Sequence, residues 1–229
     1  MSREVIHSKN FASEAAGFLL QQAHTALAAG GQFRIALSGG NTPRPVYAEF
    51  ARIGHDLPWD RVHFTFSDER CVPPDDEQSN FRMASEALFQ LAAVPDTSVT
   101  RMQGEIEPKL AAQEYQDQLD LLATQRGEQI YRHDLILLGL GGDGHTASLF
   151  PGTKALDETT QRVVANFVPK LSVWRLTFTF PFINQARHVC FLVNANKQPD
   201  LIKSVLAGDT RYPAARVDAP DGQITWIIG

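Results

Sequence analysis

A run of four large apolar residues, Leu135 to Leu138, restricts the fold of this chain more than any other feature. Because chain-breaking residues bound the run, it predicts a strand that is buried on both faces, as in parallel sheets covered by helices. Glycine then occupies four of the six positions from 139 to 144, which predicts a turn. After this turn we expect a short helical segment that ends at Pro151 and Gly152.

The order of apolar strand, polar turn and helix also occurs twice earlier in the chain. Phe33 to Leu37 leads through Ser38 to Thr42 into a helix, for which Thr42 is the expected N-cap and Pro43 the expected first residue. Val62 to Phe66 leads through Ser67 to Arg70 into a helix around residues 80–91. This repeated order is typical of α/β proteins.

The remaining apolar periodicity continues the same alternation. A helix is expected after Asn10, its predicted N-cap, and should end at Gly30 and Gly31. Further strands are predicted at residues 5–6, 163–167, 173–180, 189–193 and 224–228, and further helices at 109–123 and 199–207. We therefore predict one domain over residues 1–229, an α/β fold with a single-domain open, mostly parallel, doubly wound (Rossmann-like) sheet and helices on both faces.

The composition excludes several classes of partner. The net charge of −5 gives no electrostatic reason to expect nucleic acid or an anionic membrane. No segment approaches the roughly 20 apolar residues that span a bilayer, so we expect a cytoplasmic protein. Two isolated cysteines, Cys71 and Cys190, predict neither a disulfide framework nor a zinc site.

Three polar clusters follow predicted strands and should meet in one crevice. They are Ser38 to Thr42, Ser67 to Arg70, and Gly141 to His145. In a doubly wound sheet, ligands bind beyond the carboxyl ends of the strands, which lie on one edge. The first cluster joins two glycines to a helix N-terminus, an arrangement that favours an anion such as phosphate, although an ordinary strand-to-helix turn would show the same pattern.

His145 is the candidate general base of this crevice. Its side chain titrates nearest to neutral pH, and the positive end of the expected helix would keep the ring neutral. Asp143 could hold the other ring nitrogen, or could simply cap the helical segment. Arg70 could clamp an anion or stabilise an oxyanion, or could pair with Asp68 or Glu69.

Other features of the sequence carry less functional information. Residues 139–144 fit G-x-G-x-x-G, but the following helix is too short and no acid closes a later strand, which argues against dinucleotide binding. The six other histidines are expected to be structural, and the acidic run at residues 75–77 is expected to be a solvated loop.

These residues also carry a family resemblance that runs nearly from end to end. The chain resembles the 6-phosphogluconolactonases related to glucosamine-6-phosphate isomerase. The matching motifs are ALSGGNTPRPVY at 36–47, FSDERCVP at 66–73, QSNF at 78–81, LLGLGGDGHTASLFPG at 137–152, WRLTFTF at 174–180, the pair at 196–197 and the turn at 212–214.

The resemblance implies hydrolysis of 6-phospho-D-glucono-1,5-lactone to 6-phosphogluconate in the pentose phosphate pathway, with a phosphosugar lactone as the small-molecule partner. It implies no cofactor and no metal. The family's catalytic residues fall on His145, Asp143 and Arg70. Its substrate and phosphate contacts fall on Ser38, Gly39, Gly40, Asp68, Arg175 and Lys197. We expect a monomer or, alternatively, a weak homo-oligomer.

Two other functions fit the same scaffold less well. An amino-sugar 6-phosphate isomerase/deaminase of the superfamily would have an acid five residues past the histidine, where this chain has Phe150. Without that carboxylate, the required proton transfers lack a group. A non-catalytic sugar-phosphate sensor should have lost the base, whereas Asp143 and His145 are both present.

Overall fold

A six-stranded parallel sheet forms the centre of the protein. The computed structural model describes residues 3–195 and 199–229. The strands of this sheet are β1 (Arg3–His7), β2 (Phe33–Leu37), β3 (Val62–Phe66), β5 (Leu135–Leu138), β8 (His188–Val193) and β9 (Gln223–Ile228). Their order is β1-β9-β8-β5-β2-β3, and every neighbouring pair is parallel. The predicted α/β fold with a mostly parallel sheet is confirmed.

Helices cover both faces of this sheet. They are α1 (Phe11–Gly30), α2 (Arg44–Ile53), α3 (Asn80–Ala84), α4 (Pro108–Thr124), α5 (Phe180–Ile183) and α6 (Pro199–Leu206). One hydrophobic core lies on each face of the sheet, and alternate residues of the central strands point into one or the other. Leu135 and Leu137 pack with α1 and α2, whereas Ile136 and Leu138 pack with α4 and α5. The strand at 135–138 is fully buried because it has helices on both sides.

Three strands form a second sheet that the sequence pattern did not separate from the first. The strands β4 (Asp68–Arg70), β6 (Val163–Val168) and β7 (Val173–Phe178) pair antiparallel in the order β4-β7-β6. The expectation that all strands share one sheet is therefore wrong. Only the short turn Pro169–Leu171 and Ser172 join β6 to β7, and a connection of this length allows antiparallel but not parallel pairing.

Some predicted helix boundaries also differ from the structure. Asn10 is in the N-cap position of α1, as predicted, but its side chain makes no capping hydrogen bond; the Glu14 carboxylate instead accepts one from the Asn10 backbone amide, at 3.3 Å. Helix α2 begins at Arg44 with Pro43 rather than Thr42 in the cap position. The C-terminal boundary of α1 is confirmed, since Gly31 has a left-handed φ of 77°.

No helix among residues 3–195 and 199–229 is both long enough and apolar enough to cross a membrane.

Two histidines that we expected to be structural lie in a buried polar network beside β5. His133 shares a 2.8 Å hydrogen bond with the Thr65 hydroxyl, and His63 contacts the hydroxyls of Tyr131 and Thr100. Burial, reinforced by the nearby charge of Arg34, lowers the pKa of His63 to about 4 and that of His133 to about 3. The folded protein therefore holds both rings in the neutral form.

This network predicts an acid-sensitive fold. Both pKa values in the folded state lie below the ordinary value near 6.5, so the unfolded chain binds protons first as the pH falls. The free energy of unfolding therefore loses nothing to these histidines above about pH 6.5. Below that pH it decreases by up to about 1.4 kcal/mol per pH unit for each histidine. Urea unfolding between pH 7.5 and 5.5 should show this decrease in the free energy of unfolding, and its slope against pH should be shallower for His133→Gln than for the wild type. Identical slopes for the His133 variant and the wild type would contradict the assignment.

Candidate active site

The three predicted clusters meet in one cavity of about 540 Å³ beyond the carboxyl ends of the parallel strands. The residues of these clusters that line it are Ser38 to Thr42, Asp68, Arg70, Gly141 to Asp143 and His145. The cavity also contacts Lys170 and Arg175 of the second sheet and its turn. The expectation that these loops converge at one edge of the sheet is confirmed.

Asp143 holds the imidazole of His145 at one ring nitrogen. Its Oδ1 lies 2.5 Å from Nδ1 of His145, and its Oδ2 lies 3.2 Å from the Nζ of Lys170. Burial alone would raise the pKa of Asp143, but the hydrogen bonds that its carboxylate accepts from His145 and Lys170 outweigh burial and hold this pKa below its usual value. Asp143 is therefore an ionised acceptor that leaves Nε2 of His145 for a ligand.

The segment after His145 is a pair of turns and not the helix that we expected. Gly141 accepts a hydrogen bond from Gly144 and donates one to the carbonyl of His145, and Leu149 donates to Thr146, each at 2.9 Å. Ala147 adopts a left-handed φ of 46° between them. Contacts with the second sheet impose this conformation, so no helix dipole acts on His145. Asp143 orients the ring instead, and it does so without capping a helix.

Two neighbours enclose the His145 ring in addition to Asp143. The Phe150 ring stacks on it with a centroid separation of 3.9 Å and an interplanar angle of 24°. A Cβ atom at Gly141 would lie 2.0 Å from Cε1 of His145, so only glycine leaves room for the imidazole there. The glycine-rich turn is thus shaped around the histidine.

Arg70 and Arg175 lie opposite each other on β4 and β7 and both line the cavity. Burial and then the charge of Arg70 lower the pKa of Arg175. Like charges directly opposite in a sheet destabilise it, so this pair gains from an anion between the two side chains. Arg70 donates to the carbonyl of Gln78 at 2.7 Å, while its buried Nε has no hydrogen-bond partner among the described residues.

The expected alternative for Arg70, an ion pair with a neighbouring acid, is absent from the described part of the chain. The Glu69 carboxylate instead accepts from the backbone amides of Arg70, Asn80 and Phe81, at 2.7–2.8 Å. The Asp68 carboxylate accepts from the Ser148 hydroxyl at 2.7 Å and from the side-chain amide of Asn80 at 3.2 Å. Arg70 therefore retains its positive charge for a ligand in the cavity.

The loop that follows β2 places a polar group and two glycines on the cavity wall. The Ser38 hydroxyl is buried and has no partner among the described residues, while its main chain bonds to the Tyr47 hydroxyl. A Cβ at Gly39 would lie 1.8 Å from the Asn80 side chain, and Gly40 has a φ of 90°. Gly39 is thus needed for the close packing of the loop against Asn80, and Gly40 for its left-handed backbone conformation.

Sequence reasoning missed several residues of this site. Lys170, Asn80 and Ser148 were not candidates, since nothing in their local patterns distinguishes them from surface or capping residues. Lys197, the remaining predicted phosphate contact, lies outside the described residues. Among residues 3–195 and 199–229, no group of three or more His, Cys, Asp or Glu side chains could hold a metal ion.

Several known proteins are similar to this chain in sequence and in fold. A protein named 6-phosphogluconolactonase from Synechocystis sp. is 42% identical to this chain, over 89% of this chain and 84% of its own length. A protein of the same name from Nostoc sp. is 37% identical, over 92% of this chain and 87% of its own length. The crystal structure of 6-phosphogluconolactonase from Thermotoga maritima has a TM-score of 0.86 and 27% identity, with both chains covered completely. The three-dimensional structure of 6-phosphogluconolactonase from Trypanosoma brucei has a TM-score of 0.79 and 29% identity, over 99% of this chain and 96% of that one.

The family profile described as glucosamine-6-phosphate isomerases/6-phosphogluconolactonase matches residues 7–226. With this match over nearly the whole chain, and with relatives above 30% identity, the chain belongs to the glucosamine-6-phosphate isomerase/6-phosphogluconolactonase family.

Proposed function

We propose that the protein is a 6-phosphogluconolactonase, which hydrolyses 6-phospho-D-glucono-1,5-lactone to 6-phosphogluconate. The observation that carries this proposal is that one cavity holds an Asp143–His145 pair together with two arginines that face each other. The substrate has matching ends, a reactive carbonyl at C1 and a phosphate at C6. The names of the Synechocystis and Nostoc relatives support the same activity.

The arginine pair is the proposed phosphate site. A phosphate dianion would offset the repulsion between Arg70 and Arg175, and guanidinium groups match phosphate geometry in two-point hydrogen bonds. The amides of Gly39 and Gly40 precede the N-terminus of α2, whose dipole also favours an anion. Lys197 is proposed as a further phosphate contact on the family resemblance alone.

The Asp143–His145 pair is the proposed general base. Neutral His145 takes a proton from water through Nε2 as the water attacks C1, while Asp143 holds Nδ1 and stabilises the imidazolium that forms. His145 then returns the proton to the ring oxygen as the bond between C1 and O5 breaks. These steps together consume one water, open the lactone and return His145 to its neutral form.

Other groups of the cavity complete the proposed mechanism. The family resemblance counts Arg70 among the catalytic residues, whereas its position opposite Arg175 favours the phosphate. With both arginines at the phosphate, the oxyanion at C1 is left to backbone N–H groups of the glycine-rich turn. The unpartnered Ser38 hydroxyl, and the lone pairs of Asp68 that remain beyond its two bonds, are proposed contacts for the sugar hydroxyls. No step needs a metal or an organic cofactor.

The isomerase/deaminase function of the same family is disfavoured by the environment of His145. Phe150 occupies the position of the expected acid, is 8% exposed and stacks on the imidazole. No carboxylate at this position can therefore exchange protons with a bound sugar. A sensor without activity would not need the enclosed base.

We propose a cytoplasmic enzyme with one domain over 1–229, acting as a monomer or weak homo-oligomer.

Replacing His145 with Ala should remove most of the catalysis. The purified wild type should consume fresh 6-phosphogluconolactone faster than the lactone hydrolyses spontaneously. The variant should lose roughly 10²- to 10⁴-fold in kcat, the usual contribution of a positioned acid–base group, with an unchanged far-UV circular dichroism spectrum. A variant that folds and keeps the wild-type rate would exclude His145 as the base. Ammonia release from glucosamine 6-phosphate should be absent in both proteins.

Replacing Arg175 with Met should weaken phosphate binding and leave the rate of the chemical step nearly unchanged. Because charged hydrogen bonds contribute about 1.5–3 kcal/mol each, KM should rise by about 10- to 100-fold while kcat changes little. The inhibition constant of the product 6-phosphogluconate should rise in parallel. A fall in kcat with an unchanged KM and inhibition constant would place Arg175 at the lactone carbonyl instead.

A further inference from the structure

The imidazole of His145 is held from three directions by different groups. Asp143 fixes Nδ1, Gly141 leaves space for the edge around Cε1, and the Phe150 ring covers one face. In the proposed reaction Asp143 stabilises the imidazolium, and the absence of a side chain at Gly141 leaves room for the ring. That reaction assigns no role to Phe150, although Phe150 lies against the proposed base and lines the same cavity.

A turn places Phe150 over the histidine. Thr146 and Leu149 form an isolated antiparallel bridge, and the left-handed Ala147 reverses the chain between them. The chain therefore returns five residues after His145, and the Phe150 ring meets the imidazole nearly face to face. A helix over the same residues would have placed position 150 beyond the first turn, away from this face.

Ser148 fixes this turn to the second sheet through three hydrogen bonds. Its hydroxyl donates to Asp68 at 2.7 Å, its amide donates to the Thr177 hydroxyl at 3.1 Å, and its carbonyl accepts from Asn166 at 2.9 Å. These three partners lie on β4, β7 and β6, one on each strand of that sheet. All four residues are buried, so the turn has little freedom to move.

We propose that Phe150 is a positioning residue for His145: its ring, fixed through the Ser148 turn to the antiparallel sheet, restricts the imidazole to the orientation in which Nε2 addresses the substrate. Asp143 alone leaves the ring free to swing about the axis through its hydrogen bond. A flat aromatic surface at 3.9 Å removes that motion. The inference rests on the proposed function, because it assumes that His145 is the base.

The test compares flat and non-flat apolar side chains at position 150. Phe150→Leu should lower kcat by roughly 10- to 100-fold, because a misplacement of about 1 Å in a reacting group has an effect of this size. KM should stay within about twofold of the wild type, as the phosphate contacts are untouched. Phe150→Tyr keeps a flat ring and should restore most of kcat. Phe150→Met is the substitute if the Leu variant does not fold.

Phe180→Leu is the matched control. Phe180 is 7% exposed, close to the 8% of Phe150, and its ring also covers a planar group, the guanidinium of Arg216 at 4.6 Å. It does not line the cavity. This variant should lose thermal stability to a similar extent and keep kcat. Equal losses of kcat in the Leu variants at positions 150 and 180 would show that only general destabilisation is at work.

A spectroscopic readout separates positioning from a loss of the proposed function. The ring protons of His145 lie beneath the Phe150 ring, so their NMR signals should move downfield in Phe150→Leu and remain near the wild-type positions in Phe150→Tyr. Unmoved signals, or a Leu variant with wild-type kcat, would overturn the proposal. If the wild type does not accelerate lactone hydrolysis, the proposed function fails, while the NMR comparison still reports whether the Phe150 ring stacks on the imidazole in solution.

Discussion

The backbone of Ser67 joins the two sheets, and the geometry of the site depends on this junction. Its amide donates to the carbonyl of Leu37 at 2.8 Å in the parallel sheet, and its carbonyl accepts from Phe178 at 2.8 Å in the antiparallel sheet. The chain thus leaves one sheet at the end of β3 and enters the other at β4 within a single residue. Because Ser67 is fully buried, both bonds are shielded from water.

This junction brings two kinds of chemistry to one cavity. The parallel sheet supplies the glycine-rich turn with Asp143 and His145, and the antiparallel sheet supplies Arg70 and Arg175. The Ser148 turn then connects them a second time, since it belongs to the first and is held by the second. In the proposed reaction, the distance between the phosphate site and the base is therefore set by the packing of two rigid sheets and not by a flexible loop.

The sequence was informative wherever local pattern decides structure. Short continuous apolar runs between chain-breaking residues identified the central parallel strands, and the edge shared by their carboxyl ends brought three separate clusters together as predicted. The helix expected after His145 was wrong because contacts from Asp68, Asn166 and Thr177, between 18 and 80 residues away in sequence from Ser148, determine that segment. Such contacts override local propensity and leave no periodic signal.

The Arg70–Arg175 pair is a second feature that local sequence pattern does not predict. These arginines are separated by more than a hundred positions and become neighbours only through the antiparallel register of β4 and β7. Family resemblance suggested Arg175, whereas the pattern of residues did not. The roles assigned to both arginines, like those of His145 and Asp143, remain proposals that the geometry supports.

The crystal structure of the complex with 6-phosphogluconate would test most directly how the cavity orients its substrate. The account predicts phosphate oxygens at about 3 Å from the guanidinium groups of both Arg70 and Arg175, and the C1 carboxylate at a similar distance from Nε2 of His145. A product bound in the reverse direction, with its carboxylate between the arginines and its phosphate beside His145, would contradict it.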